Sequence, residues 1–573
     1  MILDAGKIEH GATLTTEVCI IGSGAAGITM ALELSRAKVA VILLAGGQKR
    51  ERSADRDLYR GIVDPALSHE PLEENRRRVF GGTTIAWGGR CVPLEPIDFQ
   101  SRPWLRDSGW PIAYSDLLPY FERAMELCEA GPFSFDAADT FSPECASMIE
   151  GFDGPMITTS RLERWSPPTN FAKRYASELQ RMKNLRVLIG GHAVHIQLKA
   201  DARSVDHVQT AARPGSEFSV RARMYVLAAG GLENPRLLLC SNDTQKKGIG
   251  NSTGFVGRFY MSHVVGVAET VRITDRTSAF RYGFETDRAG VYCRRRFALT
   301  ESTQAELEVG NAVATLVRPP ISNAAHRDPL FSAAFLGKHY IDAVRRGGLR
   351  SLSAEWRSDS SVRREHWKVI AHASPASALA MLHVMRQRYF AKRRLPMILA
   401  NPSTPIHHLY YQTEHAPNSG SQVTLSEERD AFGLPRITVQ VAFSEVDLRT
   451  VVELHRVIAT QFAATGTGYL QFDEMRIRDE VASNLKLFNS QAHHLGTTRM
   501  SESNRTGVVD ANCRLHDLDD LYVVGGSVFP TGGHANPTLT IVALAVRLAA
   551  HLRARCARPT NHPSQSAGAL GNA

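Results

Sequence analysis

Apolar residues near the N-terminus alternate between strand-like runs and a helical repeat. Residues 16–22 form a short run rich in Val and Ile, residues 26–35 repeat apolar positions at helical spacing, and residues 38–44 form a second β-like run. Glycines separate the first run from the helix. A strand, a tight turn, a helix and a second strand are typical of the opening of a doubly wound parallel sheet. The N-terminal segment therefore predicts an α/β fold.

The same α/β pattern returns in distant parts of the chain. Further β-like runs lie at 185–190, 193–198, 224–229 and 521–524. After the last run, a helix is predicted to begin at Pro537 and to end near Arg553. Between about residues 255 and 485 the glycine-turn units disappear, and longer strands and amphipathic stretches replace them. The pattern predicts one α/β domain built from discontinuous pieces, with a second domain inserted.

Residues 334–395, within the predicted insertion, have a helical pattern and are rich in Arg and Lys. The pattern indicates a solvated cationic face, and an acidic partner or a membrane surface is the alternative. The net charge of the 573-residue chain is +9, but the other basic residues are spread and do not alternate with aromatic ones. We therefore expect no binding of nucleic acid.

Cysteine spacing and the termini indicate the class of protein. The 8 cysteines are scattered without a CxxC pair, which favours a reducing compartment and a cytoplasmic location, and no bound metal is expected. The chain has no apolar run of about 18 residues and no basic N-terminal segment followed by an apolar one. A transmembrane segment and a signal peptide are therefore not expected. The small, polar residues 556–573 are predicted to form a disordered tail.

The first glycine turn has the spacing of a dinucleotide-binding motif. Gly22, Gly24 and Gly27 form GxGxxG between a predicted strand and a predicted helix, where free N–H groups can face a pyrophosphate. The acidic residue that normally ends the second strand and binds the ribose is replaced by Leu44. Backbone groups or Gln48 are then expected to hold the ribose. Nearby Arg50 and Arg52 suit a 2′-phosphate, which keeps NADP open as an alternative.

Two further stretches carry candidate chemistry. The segment RRRVFGGTTIAWGGRC (76–91) groups glycines and threonines around Trp87, a composition that permits close approach to a flat ring or a diphosphate and also suits a plain tight turn. Near the C-terminus, Asn536 followed by Pro537 is typical of a helix N-cap and first helical position. The adjacent His493 and His494 precede a Gly-Thr step, and a histidine there is either structural or a base.

These stretches together resemble the glucose–methanol–choline (GMC) family of FAD oxidoreductases. The matching segments, in family order, are TEVCIIGSGAAG, RVFGGTTIAWGG, GWPIAYSDLLPYFERA, AAGGLENPRLLLCS, HHLGTTRM and LYVVGGSVFPTGGHANPTLT. They span residues 15–555, and the chain is most similar to bacterial members akin to pyranose oxidases and sugar or polyol dehydrogenases.

The resemblance implies a catalytic pair and a reaction. The family's catalytic histidine stands three residues before the Gly-Thr step, at His493, and its partner falls on Asn536. By this likeness His493 takes the hydroxyl proton of an alcohol, a sugar, polyol or glycoside, while hydride leaves carbon for flavin N5. Asn536 holds the oxygen in line. His494 is the alternative base, although its register directs it away from the flavin.

The resemblance also implies FAD as cofactor and a set of residues around it. Ala86 stands where some pyranose-oxidising members carry a flavin-linking histidine, so the FAD is expected to be noncovalent. The expected cofactor-binding residues are Gly22, Gly24, Ala25, Ala26, Gly27, Gly81, Gly82, Thr83, Thr84, Trp87, Val194, Ala229, Gly230, Gly526, Ser527, Asn536, Pro537 and Thr538.

The expected architecture is a Rossmann-like FAD-binding domain in discontinuous pieces with an inserted α+β substrate-binding domain. The FAD-binding pieces are 14–255, with some excursions into the other domain, and 486–555, and the substrate-binding domain is 256–485. The alternatives are an NADP-dependent dehydrogenase, a noncatalytic flavoprotein and a lyase that uses the same pocket. The electron acceptor is oxygen, a quinone or a carrier protein, and the sequence does not choose among them.

Overall fold

The computed structural model describes residues 1–64, 70–274, 280–319, 321–347, 360–399, 406–486 and 493–557. The strands are β1 (Ile2–Asp4), β2 (Thr13–Ile21), β3 (Val41–Ala45), β4 (Ile62–Val63), β5 (Arg90–Cys91), β6 (Ile157–Thr158), β7 (Leu162–Trp165), β8 (Leu185–Ile189), β9 (His192–Leu198), β10 (Val205–Arg213), β11 (Ser216–Leu227), β12 (His263–Ile273), β13 (Glu285–Thr286), β14 (Tyr292–Arg295), β15 (Phe297–Leu299), β16 (Ala312–Val317), β17 (Ile406–Glu414), β18 (Gln422–Arg429), β19 (Pro435–Gln440), β20 (Gly468–Leu470) and β21 (Leu521–Val523). The helices are α1 (Ala25–Arg36), α2 (Ser53–Asp57), α3 (Pro96–Phe99), α4 (Tyr114–Cys128), α5 (Ala137–Thr140), α6 (Phe171–Arg181), α7 (Glu233–Cys240), α8 (Glu301–Glu306), α9 (Pro329–Gly347), α10 (Ser360–Ala371), α11 (Pro375–Tyr389), α12 (Glu445–Thr465), α13 (Glu474–Lys486) and α14 (Thr538–Cys556).

The first large sheet is the parallel sheet that the N-terminal pattern predicts. Its strands lie in the order β1-β8-β3-β2-β11-β10-β9, and β21 pairs with the end of β11. Strands β1, β8, β3, β2, β11 and β21 run parallel, whereas β10 and β9 form an antiparallel excursion. The fully buried β3 carries apolar residues without alternation, as expected of a strand covered on both faces. The prediction of a Rossmann-like α/β fold is confirmed.

The second large sheet is antiparallel, with the order β20-β12-β17-β16-β15-β6. One of its faces packs against α12 and α13 around Leu409, Tyr411 and Val451. Strand residues alternate between faces, so the opposite face carries Gln412 and Tyr410 of β17. Val265 of β12 lies beside Gln412 on that face because the two residues are paired across the strands. The proposed boundaries of the two domains stay predictions.

The helical pattern of residues 334–395 is present as parts of α9, α10 and α11. Helix α14 ends at Cys556, one residue inside the predicted tail, and residues 558–573 lie outside the described residues. Among the described helices none is long and apolar enough to cross a membrane. The cytoplasmic location stays a prediction.

Candidate active site

A cavity with a volume of about 540 Å³ opens at the carboxyl ends of β2, β3, β11 and β21. Ligands of doubly wound sheets bind at this edge. The predicted cofactor-binding residues that line the cavity are Gly22, Gly24, Ala25, Ala26, Gly82, Thr83, Thr84, Trp87, Ala229, Gly230, Gly526, Asn536, Pro537 and Thr538. The candidate histidines His493 and His494 line it as well. The fold therefore brings the distant motifs of the sequence to one place.

The turn between β2 and α1 fits a dinucleotide. Gly24 is the N-cap of α1 and has no side chain to bond the first N–H groups, so these stay available to a ligand beside the cavity. A Cβ on Gly24 would meet no protein atom within 4 Å, whereas a Cβ on Gly27 would fall 1.8 Å from the carbonyl oxygen of Gly22. Gly24 thus leaves space for the ligand, and Gly27 lets the helix pack on the turn.

Four predicted cofactor-binding residues do not line the cavity. Three of them pack against or form hydrogen bonds with residues beside it. Gly27 packs beneath the turn, as described above. The amide N–H of Gly81 donates to the carbonyl oxygen of Ser23 at 3.0 Å. The hydroxyl of Ser527 accepts from Asn234 Nδ2 at 3.0 Å. The fourth is Val194, and its neighbour Ala193 lines the cavity in its place.

The cavity wall at β3 contains Leu44 rather than an acidic residue. Neither Gln48, Arg50 nor Arg52 is among the described residues that line it, and Arg52 instead pairs with Asp55 at 2.8 Å. This placement does not support the predicted ribose contact of Gln48 or a 2′-phosphate site at the two arginines.

Charged side chains that were not predicted to belong to the site also line this cavity. Arg78 Nε donates to the carbonyl oxygen of Gly46 at 3.2 Å, and its Nη1 lies 3.4 Å from Glu233 Oε2. Burial favours a raised pKa for Glu233, but Arg236 and Arg76 outweigh burial and lower the pKa to about 2. Glu233 is therefore an ionised acceptor on the cavity wall. In the sequence, this charged part of the wall could have been predicted from the run of arginines at 76–78 and from the motif GGLENP, which contains Glu233.

Asn536 and His493 both line the cavity and contact each other there. Asn536 Nδ2 lies 3.2 Å from His493 Nε2. Asn536 does not cap α14, so the prediction from the Asn-Pro pair is wrong: the helix begins at Thr538, the N-cap is Pro537, and no side chain caps it. The contacts with His493 and with Gln412 on β17 hold the amide away from the helix end.

A chain of hydrogen bonds fixes which nitrogen of His493 carries its proton. Arg90 Nη1 donates to Gln412 Oε1 at 3.0 Å, and an arginine can only donate. Gln412 therefore turns its Nε2 to the other side, where it donates to the carbonyl oxygen of His534 at 2.5 Å and to Asn536 Oδ1 at 3.4 Å. Asn536 then presents Nδ2 to His493. His493 Nε2 accepts, and the ring proton lies on Nδ1.

The surroundings of His493 keep its imidazole neutral. Burial is the largest cause that holds the pKa of His493 well below its usual value, and His263 and Arg90 add to it. The ring of His263 lies 4.9 Å from that of His493, and burial lowers the pKa of His263 to about 4. His493 Nδ1 has no hydrogen-bond partner within the described part of the chain. The site thus contains a neutral imidazole with an accepting Nε2.

His494 has a different environment from its neighbour. Its Nδ1 lies 2.8 Å from the hydroxyl of Tyr260, and the two rings stack at 5.9 Å. Its carbonyl oxygen lies against Gly231, where a Cβ would approach to 2.0 Å. These contacts turn the imidazole of His494 away from Asn536.

Known proteins resemble this chain in sequence and in fold. The family profile described as GMC oxidoreductase matches residues 417–545. The chain is 23% identical to 6'''-hydroxyparomomycin C oxidase of Streptomyces lividus, over 94% of this chain and 92% of the relative. It is also 23% identical to paromamine 6'-oxidase of Streptomyces fradiae, over 93% and 90% of the two chains. Pyridoxine 4-oxidase from Mesorbium loti has the same fold, with a TM-score of 0.54 and 17% identity over 94% of this chain and 99% of that chain.

The resemblance inferred from the motifs is confirmed, and FAD takes the place of the NADP alternative. Residues 417–545 of the chain match the GMC oxidoreductase family, and the protein is an FAD-dependent oxidoreductase that acts on CH–OH groups.

Proposed function

We propose that this protein oxidises one hydroxyl-bearing carbon of a sugar, polyol or glycoside, with His493 as the base and Asn536 as the group that holds the reacting oxygen. The observation that carries the proposal is the 3.2 Å contact between His493 Nε2 and Asn536 Nδ2 at the wall of the cofactor cavity. An acceptor and a donor at this separation can hold the same hydroxyl group.

The residues that would hold FAD are those of the turn after β2, the glycine loop at 82–84, and the start of α14. When bound, FAD supplies the acceptor for the hydride. Ala86 lines the cavity and offers no atom that could bond to the cofactor, which supports noncovalent binding.

The roles of the two side chains follow from their hydrogen bonds. His493 Nε2 has its lone pair available, because the proton lies on Nδ1, and it can accept the hydroxyl proton of the substrate. Asn536 Nδ2 can donate to the same oxygen and hold it in place. Since the pKa of His493 is lowered, the imidazole passes the proton on readily and returns to its neutral form between turnovers.

The polar face of the antiparallel sheet supports a substrate with several hydroxyl groups. Thr315 of β16 is paired with Tyr410, and both lie on the face of the sheet that carries Gln412. Among the described residues the buried Thr315 hydroxyl has no hydrogen-bond partner. The two aminoglycoside oxidases that the chain resembles are named for substrates of this polyhydroxylated kind.

The proposal is tested by mixing the purified protein, without oxygen, with sugars, polyols, glycosides and simple alcohols. We expect a sugar, polyol or glycoside to bleach the flavin absorbance, and ethanol to leave it unchanged on the same timescale. Bleaching by simple alcohols alone would refute the substrate class, and the absence of bleaching by every donor would favour the noncatalytic or lyase alternatives.

A further inference from the structure

A helical segment between β16 and β17 contains most of the excess positive charge of the chain. Residues 360–399, which contain α10 and α11, include eight Lys or Arg residues and one Glu, a net charge of +7 where the whole chain has +9. The cations are Arg363, Arg364, Lys368, Arg386, Arg388, Lys392, Arg393 and Arg394. A charge of this density on so short a segment attracts an anionic partner.

The same segment exposes large apolar side chains along one side of α11. Leu379 is 68% exposed, Leu382 is 66% exposed and Phe390, directly after the helix, is 83% exposed. Leu379, Leu382 and Arg386 follow one another at helical spacing, and the exposed Tyr389 and Phe390 continue the same stripe. An exposed apolar stripe of this kind marks an interaction site.

Contacts on the opposite side of α11 fix the direction in which this stripe faces. Val384 packs against Trp165 and Leu395, and Arg388 donates to the carbonyl oxygen of Leu395 at 2.9 Å. After the helix, Arg393 donates to the carbonyl oxygen of Trp165 at 2.8 Å. These bonds hold one side of the segment on the protein body. The stripe is therefore presented outward from a fixed helix.

We propose that this stripe, together with the exposed Lys392 and Arg394, docks on the surface of an anionic lipid bilayer. This surface, called the α11 face below, consists of Leu379, Leu382, Arg386, Tyr389, Phe390, Lys392 and Arg394. A helix lying in the membrane plane inserts its apolar side chains among the acyl chains, and Lys and Arg contact the headgroups. Aromatic side chains such as Tyr389 are favoured at that depth.

Charge argues against two other occupants of the α11 face. A second copy of this chain that docked through the same face would bring Arg386, Lys392 and Arg394 against the same three cations, which is repulsive. The C-terminal segment 558–573 contains no acidic residue and only Leu570 as a large apolar side chain, so it complements neither feature. An acidic protein would match the cations without requiring the exposed leucines and Phe390. A bilayer that carries anionic headgroups matches both.

The experiment is sedimentation of the FAD-loaded full chain with vesicles of phosphatidylcholine alone or of equal parts phosphatidylcholine and phosphatidylglycerol. We expect binding to the anionic vesicles, weak binding to the neutral ones, and release at 1 M salt, where charges are screened beyond about 3 Å. Changing Arg386, Lys392 and Arg394 to Gln should weaken binding about 100-fold, since each cation near an anionic surface contributes roughly a factor of five.

Matched variants separate the α11 face from charge and apolar exposure elsewhere. Leu379→Ser, Leu382→Ser and Phe390→Ser together should weaken binding by more than about 10-fold, because the buried apolar area is lost. The controls are Arg106, Arg203 and Lys246 changed to Gln, and Leu118, Tyr469 and Met475 changed to Ser, all at exposed positions. The controls should bind as the wild type does.

Equal binding by the charge variant and the wild type would overturn the proposal, as would the absence of vesicle binding. Concentration-dependent dimerisation that the serine variant abolishes, without vesicle binding, would assign the α11 face to a second copy and refute the membrane. Flavin reduction by substrate serves as the folding check, because the α11 face is not part of the cofactor cavity.

Discussion

The substitution Gln412→Glu should invert the hydrogen-bond chain that leads to His493. A carboxylate at this position accepts from Arg90 but cannot donate to Asn536. Asn536 would then turn its Nδ2 towards the carboxylate and present Oδ1 to His493, whose Nε2 must carry a proton to satisfy it. The imidazole keeps its place and loses the lone pair that the proposed reaction uses.

The size of the effect follows from the contacts that change. Loss of a positioned base slows a reaction by about 10²–10⁴-fold, equivalent to roughly 3–5 kcal/mol in the barrier. The lost donor to the carbonyl oxygen of His534 costs about 1–3 kcal/mol of folding stability. The new charged contact with Arg90 contributes about 1.5–3 kcal/mol in the opposite direction. The unfolding free energy should therefore change little while flavin reduction slows greatly.

The assay is anaerobic stopped-flow reduction of the bound flavin, with thermal unfolding measured in parallel. Gln412→Leu is the informative control, because it removes the hydrogen bonds of residue 412 without reversing the orientation of the Asn536 amide. It should slow reduction less than Gln412→Glu. Gln440→Glu, at an exposed position of β19, tests the introduced charge alone and should match the wild type. Wild-type reduction in Gln412→Glu, or slower reduction in Gln412→Leu than in Gln412→Glu, would refute the tautomer assignment.

Three further predictions concern the cofactor and pH. Because the pKa of His493 is lowered, its imidazole stays neutral as pH falls through 6.5, so the acid limb of kcat/KM should lie well below pH 6.5, and a limb at or above pH 6.5 contradicts the assignment. Leu44→Glu should tighten FAD by about 10-fold in a titration of the apoprotein, since a charge-assisted hydrogen bond is restored at the cavity wall, and unchanged affinity would show that another group binds the ribose. Acid precipitation should leave FAD in the supernatant, because Ala86 cannot bond to it, and yellow protein pellets would contradict noncovalent binding.

Local sequence patterns predicted much of the α/β part of the fold, but strands β1 and β10 of its sheet were not predicted. The apolar run before Gly22 and the helical spacing after it predict β2 and α1 within a few residues of their observed ends. Each of these two elements is determined by residues that are close together in sequence. Their apolar pattern is clear because both elements are largely buried in the protein.

The candidate site could be predicted only where a motif contains it. His493 and Asn536 came from the family resemblance, whereas Arg90 and Gln412 were missed because they are 322 positions apart and meet only in the folded protein. The Asn-Pro pair led to the wrong prediction of a cap for the same reason. A side chain that can cap a helix can also bond a distant residue, and here the contact with His493 prevails.

The central claim, that His493 is the base of an FAD-dependent oxidation, is tested most directly by anaerobic single-turnover reduction in His493→Ala and His494→Ala with a sugar that reduces the wild type. The account predicts that both variants bind FAD, that His493→Ala is slower by about 10²–10⁴-fold, and that His494→Ala stays within a few-fold of the wild type. Rapid reduction in His493→Ala would contradict it, and slow reduction in His494→Ala alone would transfer the role of the base to the neighbouring histidine.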